Sequence, residues 1–184
     1  MKKSQILKVS LAAILALAIC TPGFSFKLGG KELVRNGGGT RTKYFMDVYY
    51  ATLYVPQELK GAGDTQILEA NQPMSIQLSI KSSKVTKDKF VSSIKEAFAQ
   101  SAKAGYATGD SQAYLDAFNN VTINVGDTVS NNFDGKATTV IYTSKGQNTT
   151  LVTIKGIQFK KAFFGIFISS KPIQDSLKKS LLGK

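Results

Sequence analysis

The sequence predicts an α+β fold with one large, mainly antiparallel sheet covered by helices. Segments typical of strands form two groups along the chain, and each group is followed by segments with helical spacing. Within each group the strands lie close enough together for hairpins to connect them, which favours antiparallel pairing. Residues 26–184 are enough for one domain with its own core.

The first group of strands surrounds the stretch NGGGTRTKYFMDVYYATLYVP, which runs from Asn36 to Pro56. Three consecutive glycines allow the backbone to turn tightly or to approach another group closely, and Arg41 follows them almost at once. We expect the glycines to form a turn that leads into a long aromatic strand covered on both faces. The elements expected in this half are strands over 32–36, 40–55 and 74–81 and a short helix over 65–70.

The rest of the chain alternates again between helices and strands. Thr86 and Asp110 are placed to cap two helices, because their side-chain oxygens accept hydrogen bonds from unpaired backbone N–H groups. The apolar stripes of these helices are Phe90, Val91, Ile94, Ala97 and Phe98 in the first and Tyr114, Leu115 and Phe118 in the second. The later elements are strands over 122–129, 137–142 and 149–154, a helix with Phe159, Ala162, Phe163, Ile166 and Phe167 on one face, and a last helix from Pro172 with Ile173, Leu177 and Leu181 as its stripe.

The N-terminal 25 residues have the three parts of a secretory signal peptide. A cationic start is followed by an apolar run of twelve residues, too short to span a bilayer, and then by small residues at Gly23 and Ser25. We expect cleavage after Ser25 and export of residues 26–184, with the periplasm as the destination. A lipoprotein signal that ends at Cys20 and an uncleaved N-terminal anchor are the alternatives.

The residue types that are missing exclude several classes of enzyme. The chain has no histidine, and its one cysteine, Cys20, lies in the predicted signal. Catalysis by serine–histidine or cysteine–histidine pairs is excluded, and so are zinc sites with histidine or thiolate ligands. The twelve carboxylates are scattered and lack the spacing of a calcium loop, so we expect no metal and no cofactor.

The chain is strongly basic, with 24 lysines and arginines against 12 aspartates and glutamates. The lysines are scattered, and no aromatic–basic motif of a nucleic-acid module is present. We therefore expect a solvated basic surface and no nucleic-acid partner, with weak contact to an anionic membrane surface as a further hypothesis. The sequence leaves the oligomeric state open.

Two segments resemble the signatures of chalcone isomerase-like proteins. NGGGTRTKYFMDVYYATLYVP is similar to that family's glycine-rich turn, arginine and strand ending in a tyrosine. FKKAFFGIFISSKPIQDSLKKSLLG is similar to the C-terminal signature of the exported bacterial branch. The resemblance covers essentially all of residues 26–184, and it implies an open-faced β-sandwich with a ligand cleft between the sheet and the helices.

The resemblance also implies two kinds of function. Plant enzymes of this fold close a chalcone to a flavanone, and related proteins bind fatty acids; in both groups the arginine meets the anionic part of the ligand. Arg41 occupies that place. Other polar positions of the plant enzymes fall near Tyr49, Phe90, Ala97 and Ile166. The side chains of Phe90 and Ala97 neither donate nor accept hydrogen bonds, so they differ in this respect from the polar residues that the plant enzymes use.

The first hypothesis is a binding module for a fatty acid or a similar amphipathic anion. An apolar cleft would bury the tail, and the guanidinium of Arg41 would hold the carboxylate at two points. The ligand-binding residues expected on this hypothesis are Arg41, Tyr49, Tyr50, Phe90, Ala97, Phe98, Phe163, Ile166 and Phe167. The alternative for the phenylalanines is that they belong to the core.

Two further hypotheses remain. In an isomerase, an intramolecular lyase of chalcone-like or other phenolic substrates, Arg41 would stabilise an oxyanion, and Tyr49 or Tyr50 would position or donate a proton. In a surface-interaction protein, the basic surface would contact anionic membrane lipid. For Arg41 itself the alternative is a structural salt bridge to Asp47 or Glu32.

Overall fold

The computed structural model describes residues 25–184, so the predicted signal apart from Ser25, and with it Cys20, lies outside the described residues. The strands are β1 (Ser25–Leu28), β2 (Lys31–Lys43), β3 (Met46–Pro56), β4 (Met74–Ile80), β5 (Thr128–Phe133), β6 (Ala137–Ser144) and β7 (Gln147–Lys155). The helices are α1 (Asp64–Glu69), α2 (Lys87–Lys103), α3 (Ser111–Asp116), α4 (Ile157–Ile168) and α5 (Asp175–Leu181), and a short 3-10 helix, Gln57–Leu59, follows β3.

All seven strands belong to one sheet, in which each strand pairs antiparallel with the next along the chain. The predicted α+β fold with an antiparallel sheet is therefore confirmed. Strand β3 shows which face is covered, because Tyr49, Ala51 and Leu53 are buried, whereas Tyr50 and Thr52 between them are half-buried and point to the other face. The helices pack on the Tyr49 face, where they share one core with the sheet.

Helix α2 begins as the sequence predicts. Thr86 is its N-cap, and the Thr86 side chain accepts a hydrogen bond from the backbone N–H of Lys89 at 3.4 Å. Phe90, Ile94 and other members of the predicted stripe are buried against the sheet and its neighbours. Of the described helices, none is long and apolar enough to cross a membrane.

Helix α4 is buried on all sides from Ala162 to its end, whereas the sequence predicted one apolar face. Phe159 and Phe163 are fully buried as expected, but so is Phe164, which lies outside the predicted face. The reason is the position of α4, which contacts α1, α2 and α5 as well as strand β6. This enclosed part of the helix has no polar, solvent-exposed face.

Lys160, on α4, is a fully buried cation. Its Nζ donates hydrogen bonds to the backbone carbonyls of Ile67, Leu68 and Ala70, at 2.7, 2.9 and 2.9 Å. These carbonyls lie at the C-terminal end of α1, where a helix has carbonyls without partners and a partial negative charge. Burial lowers the pKa of the Lys160 ammonium to about 7, and the charge of Lys161 acts in the same direction. Lys160 thus fixes α1 to the core.

The three glycines do not form the predicted turn. Gly37–Gly39 lie inside β2, and the hairpin turn comes later, at Tyr44 and Phe45, which have φ values of 49° and 62°. Helix α5 packs directly against the glycines, and a Cβ added to Gly37 would lie 2.6 Å from the carbonyl oxygen of Leu181. The absence of side chains therefore serves the close approach of a helix rather than a turn.

Strand β5 begins at Thr128, six residues later than the sequence predicted. Gly126 adopts a φ of 90°, and the Asp127 carboxylate accepts a hydrogen bond from the backbone N–H of Asn124 at 2.7 Å. The chain therefore forms a loop at Asn124–Asp127, and β5 begins only after it. The hydroxyl of Tyr142 on β6 also donates to Asp127 and fixes this loop to the sheet.

Helix α5 begins at Asp175, later than the predicted start at Pro172. The backbone N–H of Ile173 donates to the carbonyl of Ile166 at 2.8 Å, so the chain first runs along the end of α4. Gln174 has an extended backbone and stands at the N-cap position of α5. Its side chain is therefore available for contacts outside the helix.

Candidate functional site

A cavity of about 500 Å³ lies between the β2–β3 hairpin and helix α2. Its volume falls in the range of roughly 300–1,000 Å³ that is usual for small-molecule sites. The apolar and aromatic residues of its lining are Tyr44, Met46, Val48, Tyr49, Val85, Phe90 and Ile94, and the polar and charged ones are Lys43, Ser82, Lys84, Asp88, Lys89, Ser92, Ser93 and Glu96.

A second cavity, of about 300 Å³, adjoins the first and contains Arg41. The two cavities have Lys43, Ser93 and Glu96 in common, so they lie side by side along helix α2. The other walls of the second cavity are Ala97 and Gln100 on α2 and Pro172 and Ile173 in front of α5.

Arg41 is half-buried near the end of β2 and is held from one side of its guanidinium. Its Nη1 donates to the backbone carbonyl of Thr42 at 2.7 Å and to Oε1 of Gln174 at 2.9 Å. Within residues 25–184, neither Nε nor Nη2 has a hydrogen-bond partner. This second edge of the guanidinium carries the pair of N–H groups that can bind a carboxylate at two points.

The salt bridges considered for Arg41 are not formed among the described residues. Glu32 accepts a hydrogen bond from the hydroxyl of Ser25 at 2.7 Å, and Asp47 lies 3.5 Å from the hydroxyl of Thr42. Both carboxylates therefore have other neighbours. Arg41 lines the smaller cavity, and no carboxylate of residues 25–184 forms a salt bridge with it.

The glycines of β2 explain how Gln174 reaches Arg41. A Cβ added to Gly39 would lie 2.7 Å from Cβ of Ser180, so α5 can rest on β2 only where the strand has no side chain. Gln174 stands at the start of the same helix and accepts hydrogen bonds both from Nη1 of Arg41 and, at 3.0 Å, from the backbone N–H of Thr42. The close packing of α5 on β2 thus fixes one edge of the guanidinium.

Tyr49 is the direct partner of Arg41 across the β2–β3 pair, so the two side chains lie on the same face of the sheet. Tyr49 lines the larger cavity, and its hydroxyl is buried without a hydrogen-bond partner in the described chain. Burial raises the pKa of this hydroxyl, and the nearby charge of Arg41 opposes the shift only in part. The hydroxyl therefore stays protonated at neutral pH and can donate a hydrogen bond.

Basic residues outnumber acidic ones in the two linings. The cations are Arg41, Lys43, Lys84 and Lys89, and the anions are Asp88 and Glu96. Asp88 also lies 3.5 Å from Nζ of Lys87, which reduces its influence on the cavity. The electrostatic field of this space therefore favours an anion.

The structure brings together four of the predicted ligand-binding residues. Arg41 and Ala97 line the smaller cavity, and Tyr49 and Phe90 line the larger one. No group of three or more acidic, histidine or cysteine residues in the described part of the chain is arranged to hold a metal ion.

The other five predicted residues lie elsewhere. Phe98, Phe163 and Phe167 belong to the aromatic core, where the rings of Phe98 and Phe163 are 6.2 Å apart, and Ile166 is buried beside them on α4. None of them is in either lining. Tyr50 points to the opposite face of the sheet, and its hydroxyl accepts a hydrogen bond from Nη2 of Arg35 at 2.6 Å. These five residues therefore lie outside the two cavities, in the core or on the opposite face of the sheet.

Sequence reasoning missed three residues that shape the site. Ile94 was recognised in the apolar stripe of α2, and its position one turn after Phe90 was a usable sign that both face the same cavity. Val48 gave no such sign, because both faces of its strand are apolar. Gln174 is 133 residues from Arg41 in the chain, and no local pattern connects them.

The chain belongs to the chalcone isomerase-like family, whose model matches residues 21–183. A solved structure with a similar fold is the fatty-acid binding protein AtFAP1 of Arabidopsis thaliana, with a TM-score of 0.64 over 82% of this chain and 86% of that chain. The two sequences are 17% identical, so the similarity concerns the fold. No curated protein sequence matches the chain. The resemblance to the family is confirmed, while membership of its exported bacterial branch stays a prediction.

Proposed function

We propose that the protein binds a fatty acid or a similar amphipathic carboxylate, with the head group at Arg41 and the tail in the larger cavity. The observation that carries this proposal is the unpartnered Nε–Nη2 edge of Arg41 at the border of an apolar space. Such a border suits a molecule with one anionic end and an apolar remainder. The similarly folded fatty-acid binding protein of Arabidopsis thaliana supports the ligand class.

The tail supplies most of the expected affinity. Each buried CH2 contributes about 0.8 kcal/mol, so ten methylenes contribute roughly 8 kcal/mol. A hydrogen bond to a charged group adds about 1.5–3 kcal/mol. Arg41 therefore mainly decides which end of the ligand lies beside β2, and its loss should weaken binding without abolishing it.

Tyr49 is proposed to donate a second hydrogen bond to the head group. Its hydroxyl is buried, protonated and without a partner in the described chain, and it lies on the same face as Arg41. A buried hydroxyl that lacks a hydrogen bond costs free energy, and a ligand oxygen would remove that cost. The pair would then bind a carboxylate from two sides.

An intramolecular lyase for chalcone-like or other phenolic substrates is the second candidate. The same pair favours it, because Arg41 would stabilise an oxyanion and the protonated Tyr49 hydroxyl would donate a proton. The test is the rate of cyclisation of a chalcone. A rate above that in buffer with the wild-type protein, but equal to that in buffer with Arg41→Ala, would favour this candidate.

We also propose that the protein is exported to the periplasm after cleavage behind Ser25. The support is the three-part pattern of residues 1–25. The test is the intact mass of protein recovered from the periplasmic fraction, which should correspond to a chain that starts at Phe26. An N-terminus at Cys20 with attached lipid, or an uncut chain, would contradict the proposal.

The binding proposal is tested by titrating laurate into the wild-type protein and two arginine variants in a calorimeter. Arg41→Ala should raise the dissociation constant about tenfold to a hundredfold, the equivalent of roughly 1.4–2.8 kcal/mol. Arg35→Ala is the matched control, because Arg35 is on the same strand, has the same charge and contacts Tyr50 on the opposite face. Equal weakening by both variants, or no saturable binding to the wild type, would contradict the proposed site.

A further inference from the structure

Four large apolar side chains are strongly exposed in the described chain, and all four lie at one end of the sheet. Tyr44, Phe45 and Met46 are at the β2–β3 hairpin, and Val125 is just before β5. The strand register brings the start of β3, the end of β4 and the start of β5 to this same end. We call Tyr44, Phe45, Met46 and Val125 the apolar end.

The turn at Tyr44 and Phe45 is an unusual place for aromatic residues. Both have left-handed backbones, with φ of 49° and 62°, a conformation that costs energy for residues other than glycine. The β6–β7 turn has a similar shape but uses Lys145 and Gly146, with φ of 49° and 77°. The aromatic rings gain little burial in return, because Tyr44 is 80% and Phe45 105% exposed, and the Tyr44 ring has only Nζ of Lys43 over it, 5.6 Å from the ring centroid. Exposure at this conformational cost indicates a partner for these rings.

Basic side chains surround the apolar end. Lys43 closes β2, Lys81 follows β4, Lys84 lines the larger cavity, and Lys145 is in the β6–β7 turn at the same end of the sheet. The exposed carboxylates near these residues are Asp47, in the first part of β3, and Asp88, which lines the larger cavity and lies 3.5 Å from Nζ of Lys87. Exposed aromatic rings with lysines around them are the combination that binds the interface of an anionic bilayer.

We infer that the apolar end docks on an anionic lipid bilayer, with Tyr44 and Phe45 in the headgroup region and the lysines against lipid phosphates. A second copy of the chain fits this end poorly, because two such ends would bring like charges together. Tyr44 and Met46 also line the larger cavity, so docking brings this wall of the cavity to the membrane. Docking would let a lipid-derived ligand pass from the membrane into the cavity, and this consequence rests on the proposed function. The docking itself does not depend on it.

The test is co-sedimentation of the full mature chain with vesicles of phosphatidylcholine alone or with 30% phosphatidylglycerol. Wild-type protein should bind the anionic vesicles, bind neutral ones far less, and dissociate as salt is raised. Phe45→Gly should weaken vesicle binding about tenfold. Phe45→Trp should bind vesicles as well as the wild type does, because tryptophan also suits the membrane interface. Phe45 is absent from both cavity linings, so laurate affinity in solution should be the same in all three proteins.

The matched charge controls are Lys145→Gln at the apolar end and Lys136→Gln in the β5–β6 turn at the other end of the sheet. Lys145→Gln should weaken vesicle binding about fivefold and Lys136→Gln should leave it unchanged. Equal effects of the two lysine variants, binding that survives Phe45→Gly, or a dimer in place of vesicle binding would overturn the inference. If laurate does not bind but vesicles do, the proposed function fails and the docking surface stands.

Discussion

Replacing Gly39 by alanine tests whether the packing of α5 on β2 holds Arg41 in place. An added Cβ would lie 2.7 Å from Cβ of Ser180, whereas carbon atoms in contact are about 3.5–4.0 Å apart. Helix α5 must therefore retreat by roughly 1 Å to make room for the added carbon. Gln174, at the start of α5, would move with the helix and loosen its 2.9 Å hydrogen bond to Nη1 of Arg41.

The expected cost follows from two opposing contributions. Forcing an extra carbon into a packed contact usually costs about 1–3 kcal/mol. Alanine in place of glycine recovers roughly 0.5–1 kcal/mol, because the unfolded chain has less freedom to lose. The net loss for Gly39→Ala should be about 1 kcal/mol in the free energy of unfolding, which corresponds to a fall in Tm of about 2–4 °C for a domain of this size.

The measurement is a pair of thermal melts and laurate titrations on Gly39→Ala and on the control Gly109→Ala. A Cβ at Gly109 would meet open space, and its backbone is not left-handed, so the control should be as stable as the wild type or slightly more stable. Gly39→Ala should lower Tm and weaken laurate binding, although less than Arg41→Ala does. An unchanged Tm, or a lowered Tm with unchanged affinity, would refute the link from the glycines to Arg41.

Three further predictions concern single side chains. The free energy of unfolding should rise as pH increases from about 7 toward 10, by at most about 1.4 kcal/mol per pH unit, because the pKa of Lys160 is lowered to about 7 in the folded protein and is normal in the unfolded chain. Urea titrations would show this slope, and Lys160→Met should remove it while leaving three α1 carbonyls unpaired. Glu96→Gln should tighten laurate binding about two- to fivefold in calorimetry, because it removes a negative charge from both cavity linings; weaker binding would contradict the proposed anion site. Tyr49→Phe should weaken laurate binding about three- to tenfold with no loss of Tm, and unchanged affinity would remove Tyr49 from the head-group site.

Local patterns in the sequence predicted most of the fold. The apolar stripe and the Thr86 cap predicted where α2 begins. The spacing of apolar side chains likewise predicted α1, β4, β6 and β7 to within a few residues. These elements follow from neighbours in the chain, where the spacing of side chains decides which face is buried. The α+β class then followed from their order.

The glycine stretch shows where local reasoning failed. Three glycines read as a turn, but what they accommodate is Ser180 and Leu181, about 140 residues later in the chain. Their φ values are not left-handed, so no turn chemistry is involved. The real turn uses Tyr44 and Phe45, which no turn preference would select.

The candidate site was predictable only in part for the same reason. Arg41 was identified, and Phe90 and Ala97 were placed on the correct helix, but the choice between Tyr49 and Tyr50 stayed open. Both faces of β3 are apolar or aromatic, so alternation could not show which tyrosine points to the helices. In the structure Tyr49 points to the helices and lines the larger cavity, and Tyr50 points to the opposite face.

The most direct test of the central claim is the ionisation of bound laurate labelled with ¹³C at its carboxyl carbon. The carboxyl chemical shift, followed by NMR as pH is lowered, reports the pKa of the bound head group. A carboxylate held by Arg41 should keep its charge to lower pH in the wild-type protein than in Arg41→Ala, because the guanidinium favours the ionised form. The same titration curve in both proteins would show that the head group lies away from Arg41 and would contradict the account.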